Sequence, residues 1–191
     1  MELQKLLEVN RTYRRFFENE QVPVEVLRNL VGLAALTPSA ANLQPLKFIL
    51  SNTREKNRKI FSTLGWAGYL PDWPGPEPGE RPPAYVVVLG DTGITGNWSA
   101  DPGIVMQTIL LGASENGLGG CIFGSVRRKE LAGLLGIPPE YEILYVLALG
   151  RPKEKIVLEQ IGEDGDIRYY RDENRIHHVP KRRVDELIVE I

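Results

Sequence analysis

Apolar positions along the chain fall into blocks whose spacing changes from helical to alternating and back. Behind Pro23, the residues Val24, Leu27, Val31 and Ala34 or Ala35 recur every three or four positions and predict an amphipathic helix. A proline suits the first position of a helix, where no N–H needs a partner. "LKFIL" (46–50) predicts a short strand, and 54–64 a helix with Ile60, Phe61 and Leu64 inward. "YVVVLG" (85–90) and "YEILYVLALG" (141–150) are continuous apolar runs and predict buried strands, with "CIF" a third short one and "RRKELAGLLG" (127–136) a helix. A helix over 101–117 has Asp101 as its cap, Pro102 at its start and Gly117 at its end. Its apolar residues fall on more than one face, the mark of a central helix buried in its own core or at a subunit interface.

Two stretches break this rhythm. "LPDWPGPEPGERPP" (70–83) carries six prolines and predicts a loop without regular structure. A strand follows at once, so it reads as an insertion over the surface within one domain spanning 1–191. From Arg151 onward the chain is charged and offers little to bury until "VDELIVEI", a helical turn with a strand-like ending. A polar stem with an apolar tip, about 165–191, predicts an arm that docks on another surface. No internal repeat is visible.

Composition narrows the classes of function. The chain of 191 residues is 42% hydrophobic and 25% charged, with a formal net charge of −2. That balance argues against a nucleic-acid or membrane-surface role, which needs a positive field. "MELQKLLEVN" is too charged for a signal peptide, and no apolar run approaches the ~20 residues that span a bilayer. A single cysteine, Cys121, excludes an internal disulfide and fits a reducing cytoplasm.

Between the first predicted helix and strand stands "TPSAANLQP" (37–45). Ser39, Asn42 and Gln44 hydrogen-bond without titrating. Turn chemistry accounts for Pro38, Ser39 and Asn42. Ala40 and Ala41 are not turn residues, however, and Gln44-Pro45 is an extended dipeptide. Both readings stand: a turn, or a ledge of donors, acceptors and small side chains for a flat ligand.

Familiar catalytic sets are missing. Gly112 and Gly117 have P-loop spacing, but Leu118 stands where the lysine belongs, and no G-x-G-x-x-G follows a strand. His177 and His178 lack cysteine partners at metal-ligand spacing and read as structural or solvated. Cys121, inside a strand pattern, reads as an inert core thiol. No nucleophile elbow is present. If the chain is an enzyme, its reactive atoms belong to a bound cofactor.

Basic clusters supply the other end of such a cofactor. "NRTYRRF" (10–16) groups Arg11, Thr12, Arg14 and Arg15, and "PKRR" (180–183) places Lys181, Arg182 and Arg183 after a proline. Two guanidinium groups and a hydroxyl within one turn can hold a phosphate. Together "NRTYRRF", "TPSAANLQPLKF", the "GLGGCIFG" turn and "PKRR" resemble, in order and spacing, the FMN-dependent nitroreductase family, over essentially the whole chain. The resemblance implies an α+β fold in which a mostly antiparallel sheet is flanked by helices. It also implies an intertwined homodimer with exchanged C-terminal arms and an FMN at each interface. By the same resemblance Arg11 and Thr12 match phosphate-side residues, and Arg14 a cation near flavin N1 and C2=O. Pro38, Ser39, Ala40 and Asn42 match a ledge that the second subunit contributes, with Gln44 bracing it. Phe123 and Gly124 match a backbone turn at the flavin N5/O4 edge. Lys181 and Arg183 match a C-terminal phosphate clamp, for which Arg182 is a possible substitute.

The departures from the family pattern are Asn10, where many members have arginine, Leu46, where tryptophan is usual, and the short "DTGITGNWSA" (91–100), which leaves no room for lid helices. Substrate selection then falls to Trp66, Tyr69 and Trp73. The implied activity is transfer of two electrons from NAD(P)H through FMN to an electron-poor nitroaromatic or quinone. The alternatives are other flavin chemistry on the same scaffold (dehalogenation, dehydrogenation, flavin fragmentation) and a non-catalytic FMN-binding redox sensor.

Overall fold

The computed structural model describes residues 2–190. Its centre is a four-stranded antiparallel sheet of β1 (Leu46–Ser51), β2 (Ala84–Asp91), β3 (Gly119–Phe123) and β4 (Tyr141–Gly150), in the order β1-β2-β4-β3. Alternation along β2 explains why this strand is apolar over most of its length. Ala84, Val86 and Val88 enter a core with Leu27, Leu30 and Ile109, whereas Tyr85, Val87 and Leu89 enter a second core with Ile60 and Leu131. Both faces are covered, so the strand is apolar up to Leu89 apart from the Tyr85 hydroxyl. α2 (Val24–Ala34) and α4 (Asp101–Glu115) cover the first face, and α3 (Arg54–Phe61) and α5 (Arg128–Leu135) supply the second core's Ile60 and Leu131. α2 and α4 approach closely at Gly112, where an added Cβ would stand 2.6 Å from Leu33 Cδ1.

The predicted elements occur with shifted ends. Pro23 is the cap residue of α2, which starts at Val24, and the buried face is Leu27, Leu30 and Ala34, leaving Val24 38% exposed. α3 stops at Phe61, although Leu64 is still buried. Gly117 adopts the left-handed φ of +70° just past α4, as its placement predicts. Asp101 does not cap α4: it is the helix's first residue, preceded by Ala100, and its side chain bonds elsewhere.

Two regions depart further. α1 (Leu3–Val9) was not read from the sequence and buries no residue within this chain. The stretch after Arg151 is not merely a polar stem. β5 (Ile156–Gln160), β6 (Tyr170–Arg171) and β7 (His177–Lys181) form a second sheet in the order β5-β7-β6, with β5 and β7 parallel. A 3-10 turn at Val184–Glu186 follows, and residues 187–190 form no strand. Among the described residues no helix is long and apolar enough to cross a membrane, and no cluster of histidine, cysteine or carboxylate side chains could hold a metal ion.

Candidate functional site

The 10–16 motif is extended chain laid against β3. Thr12 pairs with Gly120 as a parallel bridge, and Tyr13 N–H donates to Gly120 O at 2.9 Å. Glycine is needed beside it, because a Cβ on Gly119 would lie 2.3 Å from the Tyr13 ring. The motif is held from the other side by Glu154, whose side chain is 1% exposed. Its carboxylate accepts from Arg14 N–H at 2.5 Å, Arg15 N–H at 3.2 Å and Arg171 Nη2 at 3.2 Å. One buried anion thus ties the motif to β6.

This arrangement opens a cavity of about 310 Å³. Asn10, Arg11, Thr12 and Arg14 form one wall, and Tyr169, His177, Val179 and Lys181 form another. Gln107 and Leu110 of α4 and Ile122 of β3 complete the lining, and no carboxylate is among these residues. Arg11 donates from Nη2 to Leu7 O at 2.5 Å, while its Nε is buried without a partner. Arg14 lies with its guanidinium carbon 4.8 Å from the Tyr169 ring centroid and its Nη1 3.4 Å from His177 Nε2. That contact requires the imidazole to be an acceptor at Nε2. Burial first, and then the charges of Arg14 and Arg171, hold His177 down to about 4, so it is neutral at pH 7. His177 is 1% exposed and its Nδ1 has no partner. The structural reading of this histidine is correct as far as burial goes, but it also lines the cavity.

Arg15, grouped by sequence with the phosphate-binding cations, is spent elsewhere. Its Nε and Nη2 hold Glu80 Oε2 and Oε1 at 2.5 and 2.6 Å, and Lys153 Nζ lies 3.2 Å from Glu80. The bond from Arg15 draws the Glu80 carboxyl down to about 2. Glu80 O also accepts from Phe16 N–H at 2.9 Å. The proline-rich loop is therefore a strap tied to the motif.

The ledge forms a different feature on the same molecule. Ala41, Asn42 and Gln44 have φ of 49°, 56° and 52°, a left-handed backbone that non-glycine residues adopt at a cost. Asp101, 4% exposed, holds it in place: Ser39 Oγ and Ala40 N–H donate to its two oxygens at 2.5 and 3.0 Å. Ser39 Oγ accepts from Gln44 N–H at 2.9 Å, and Gln44 Nε2 donates to Asn42 O at 3.2 Å and Oδ1 at 3.1 Å. Pro38, Ser39 and Gln44 line a separate cavity of about 190 Å³ with Asp101. Residues shaped this way at such expense are candidates for contact with a ligand.

Of the residues named from sequence, Arg11, Thr12, Arg14 and Lys181 meet in one cavity. Pro38, Ser39, Ala40, Asn42 and Gln44 form the ledge apart from it. Phe123 is buried against Trp66, ring centroids 4.7 Å apart, and Gly124 after it is exposed. Arg183 is exposed outside the cavity, 4.0 Å from Asp185, and Arg182 pairs with Glu186 at 3.3 Å. Trp66 packs on Phe61, Phe123 and Trp73, while the guanidinium of Arg171 covers Trp73 at 4.2 Å. Tyr69 lies on Tyr169, centroids 4.9 Å apart, and remains 48% exposed. Cys121 is buried, and burial pushes its thiol up to about 12, as an inert core position requires. Sequence reasoning missed Glu154, Asp101, Tyr169 and Gln107. Only Asp101 carried a local signal, its place before Pro102, and that signal pointed to a cap.

Comparison with known proteins matches this geometry to a family. The family described as "Nitroreductase family" matches residues 9–68 and 83–151, leaving out the strap and the second sheet. An Archaeoglobus fulgidus protein provisionally named NADH dehydrogenase/NAD(P)H nitroreductase is 30% identical over 149 residues, covering 74% of this chain and 80% of that one. A protein of the same name from Methanothermobacter thermautotrophicus is 27% identical over 161 residues, 81% of this chain and 79% of that one. Among solved structures, a nitroreductase family protein from Streptococcus pneumoniae superposes with a TM-score of 0.72 at 17% identity, covering all of both chains. An FMN-dependent nitroreductase from Clostridium difficile gives 0.67 at 22% identity, covering 80% of this chain and 89% of that one. With the family match spanning most of its length and the α+β fold shared, the chain belongs to the nitroreductase family.

Proposed function

We propose that this protein is an FMN-dependent oxidoreductase that passes two electrons from NAD(P)H to an electron-poor acceptor of the nitroaromatic or quinone type. The observation that carries this reading is the cavity on which Arg11, Arg14 and Lys181 converge with the Thr12 hydroxyl and with no carboxylate on its lining. The fit to a phosphate-tailed cofactor is chemical. A phosphate needs charged donors, and Arg11 Nε is a buried donor without a partner at that wall. Arg11, Thr12 and Lys181 would hold the phosphate, and Arg14 would face the pyrimidine edge of the ring system. FMN, when bound, supplies the hydride acceptor and electron donor that no side chain here provides. The names of the relatives, which pair NAD(P)H with nitroreductase, support the same reading.

The chain's own contribution is electrostatic and positional. Arg14 is held by backbone bonding to Glu154, by the Tyr169 face and by neutral His177, so its cation needs little reorganisation to stabilise negative charge beside it. No carboxylic acid lines the cavity, and His177 there is held neutral near pH 7, so proton delivery falls to solvent. The 38–44 ledge and the cation cavity are separate in one chain, and in the proposed homodimer the ledge of one copy completes the cavity of the other. A cytoplasmic setting suits a chain whose one thiol is buried and reduced. Steady-state turnover of menadione and of a nitroaromatic with NADH and with NADPH tests the reading. Turnover with either nicotinamide supports it; flavin that binds and is never turned over would assign a sensor instead.

A further inference from the structure

A second cavity, of about 330 Å³, lies between α3 and the end of the strap and shares no lining residue with the 10–14 cavity. Three guanidinium groups border it: Arg54 and Arg58, one turn apart on α3, and Arg81. Among the described residues none of the three forms an ion pair. Like charges four residues apart destabilise a helix unless something between them compensates. The one carboxylate on the wall, Glu18, is committed to the strap backbone, accepting from Gly79 and Arg81 N–H at 2.5 and 3.3 Å. An aromatic floor lies beneath. The Phe61 ring centroid is 4.4 Å from Arg81 Cζ, and Tyr85 is 0% exposed.

Two donors at this cavity have no partner. Tyr85 Oη and Arg81 Nε are both buried and unbonded. Burial, and then the charge of Glu18, push the phenol well above its ordinary value, so it keeps its proton, and the charges that act on it include Glu18 and Arg81 of the cavity wall. A buried donor left unmade costs its full desolvation, so native structures pair nearly all of them. Here both orphans call for an acceptor, and the unpaired cations around them call for a negative one.

We propose that this cavity is a binding site for a small organic anion. Its phosphate or carboxylate group is held by Arg54, Arg58 and Arg81 with Tyr85 donating from the floor, and its planar body lies along the stack of Arg81 on Phe61. Guanidinium forks match such oxyanions in bidentate geometry, and an aromatic face beside a cation suits a ring attached to the anion. The site goes beyond the flavin reading and does not depend on it.

Isothermal titration calorimetry at matched ionic strength tests it, with phenyl phosphate, benzoate and inorganic phosphate as probes. We expect saturable binding of phenyl phosphate or benzoate with a Kd of about 0.1–1 mM, tighter than inorganic phosphate. Arg58→Gln should weaken that binding about tenfold, the loss of one charge-assisted bond. Tyr85→Phe should weaken it about threefold while leaving the melting temperature of the ligand-free protein unchanged or raised, since it removes an unpaired group. Lys181→Ala, in the other cavity, should leave it unchanged. Three results would overturn the proposal: no saturable binding of either aromatic anion; binding lost in Lys181→Ala yet kept in Arg58→Gln, which places the ligand in the 10–14 cavity; or a Tyr85→Phe protein that is destabilised with unchanged affinity, which makes the phenol a structural donor.

Discussion

Arg14 shows how one residue gathers its role from three neighbours. Glu154 fixes its backbone, the Tyr169 ring lies against its guanidinium, and His177 accepts from it only while neutral. On the proposed reading its cation favours the reduced cofactor, which carries more negative charge at the pyrimidine edge. Arg14→Gln should then lower the two-electron reduction potential of the bound flavin by about 20–60 mV, the equivalent of ~1–3 kcal/mol. Potentiometry on the two proteins checks this, and an unchanged potential with a large loss of FMN affinity would move Arg14 to the phosphate. His177 gives an independent signature in the pH dependence of stability. Its value falls from 6.5 to about 4 on folding, so between those limits the unfolded chain holds more proton and stability drops as the pH is lowered. The loss is on the order of 2–3 kcal/mol by pH 4. Glu80, depressed from 4.5 to about 2, contributes stability that is lost as the pH falls from about 4.5 through about 2, mostly below that window. His178, raised by Glu159 and Asp172, acts in the opposite sense, its contribution present below 6.5 and lost as the pH rises through its folded value. Denaturant unfolding between pH 4 and 7 should show a slope in the native protein that is largely absent in His177→Gln. Parallel curves would mean that His177 is not held neutral.

At the scale of elements, the joint between the family core and the second sheet rests on Glu154. Glu154→Ala would strand Arg171 and two backbone N–H groups, and should cost about 3–5 kcal/mol. Glu154→Gln, which keeps an acceptor, should cost about 1–2 kcal/mol. Urea midpoints of the three proteins measure both. Most of the central sheet was legible in the sequence, because β2 and β4 are buried on both faces and their apolar runs leave no alternative. α1 was missed: it carries Leu3, Leu6 and Leu7 at helical spacing, but that stripe is short and buries no residue within this chain. The second sheet was hidden for a related reason. Its strands are short and half-exposed, held by contacts such as the Arg171–Glu154 ion pair and the His178–Glu159 hydrogen bond that leave no periodicity behind. The site divides the same way. Arg11, Thr12, Arg14 and Lys181 belong to motifs that can be read in order along the chain. Glu154, Asp101 and Tyr169 act across more than 60 residues of sequence, and a lone carboxylate or tyrosine in a charged stretch announces nothing.

As a whole molecule, the single chain leaves apolar surface that a stable protein covers. Leu36 is 83% exposed, Val189 80%, Leu187 66%, Leu3 65% and Ile188 62%. Leu3 and Leu7 of α1, with Leu158, border a groove of about 430 Å³. These residues support the proposed homodimer, and sedimentation velocity should show a dimer. Placing charge at the tip with Leu187→Glu and Val189→Glu should shift it toward a monomer that loses FMN; a yellow monomeric variant would contradict the shared site. The central claim is that the cation cavity holds a flavin that a nicotinamide can reduce. The most direct measurement is the visible absorption spectrum of the purified protein, followed anaerobically on adding NADH or NADPH. The account expects a flavin spectrum that bleaches promptly with at least one of the two and returns when menadione is added. A protein that binds no FMN, or whose flavin stays oxidised with both nicotinamides, would contradict it.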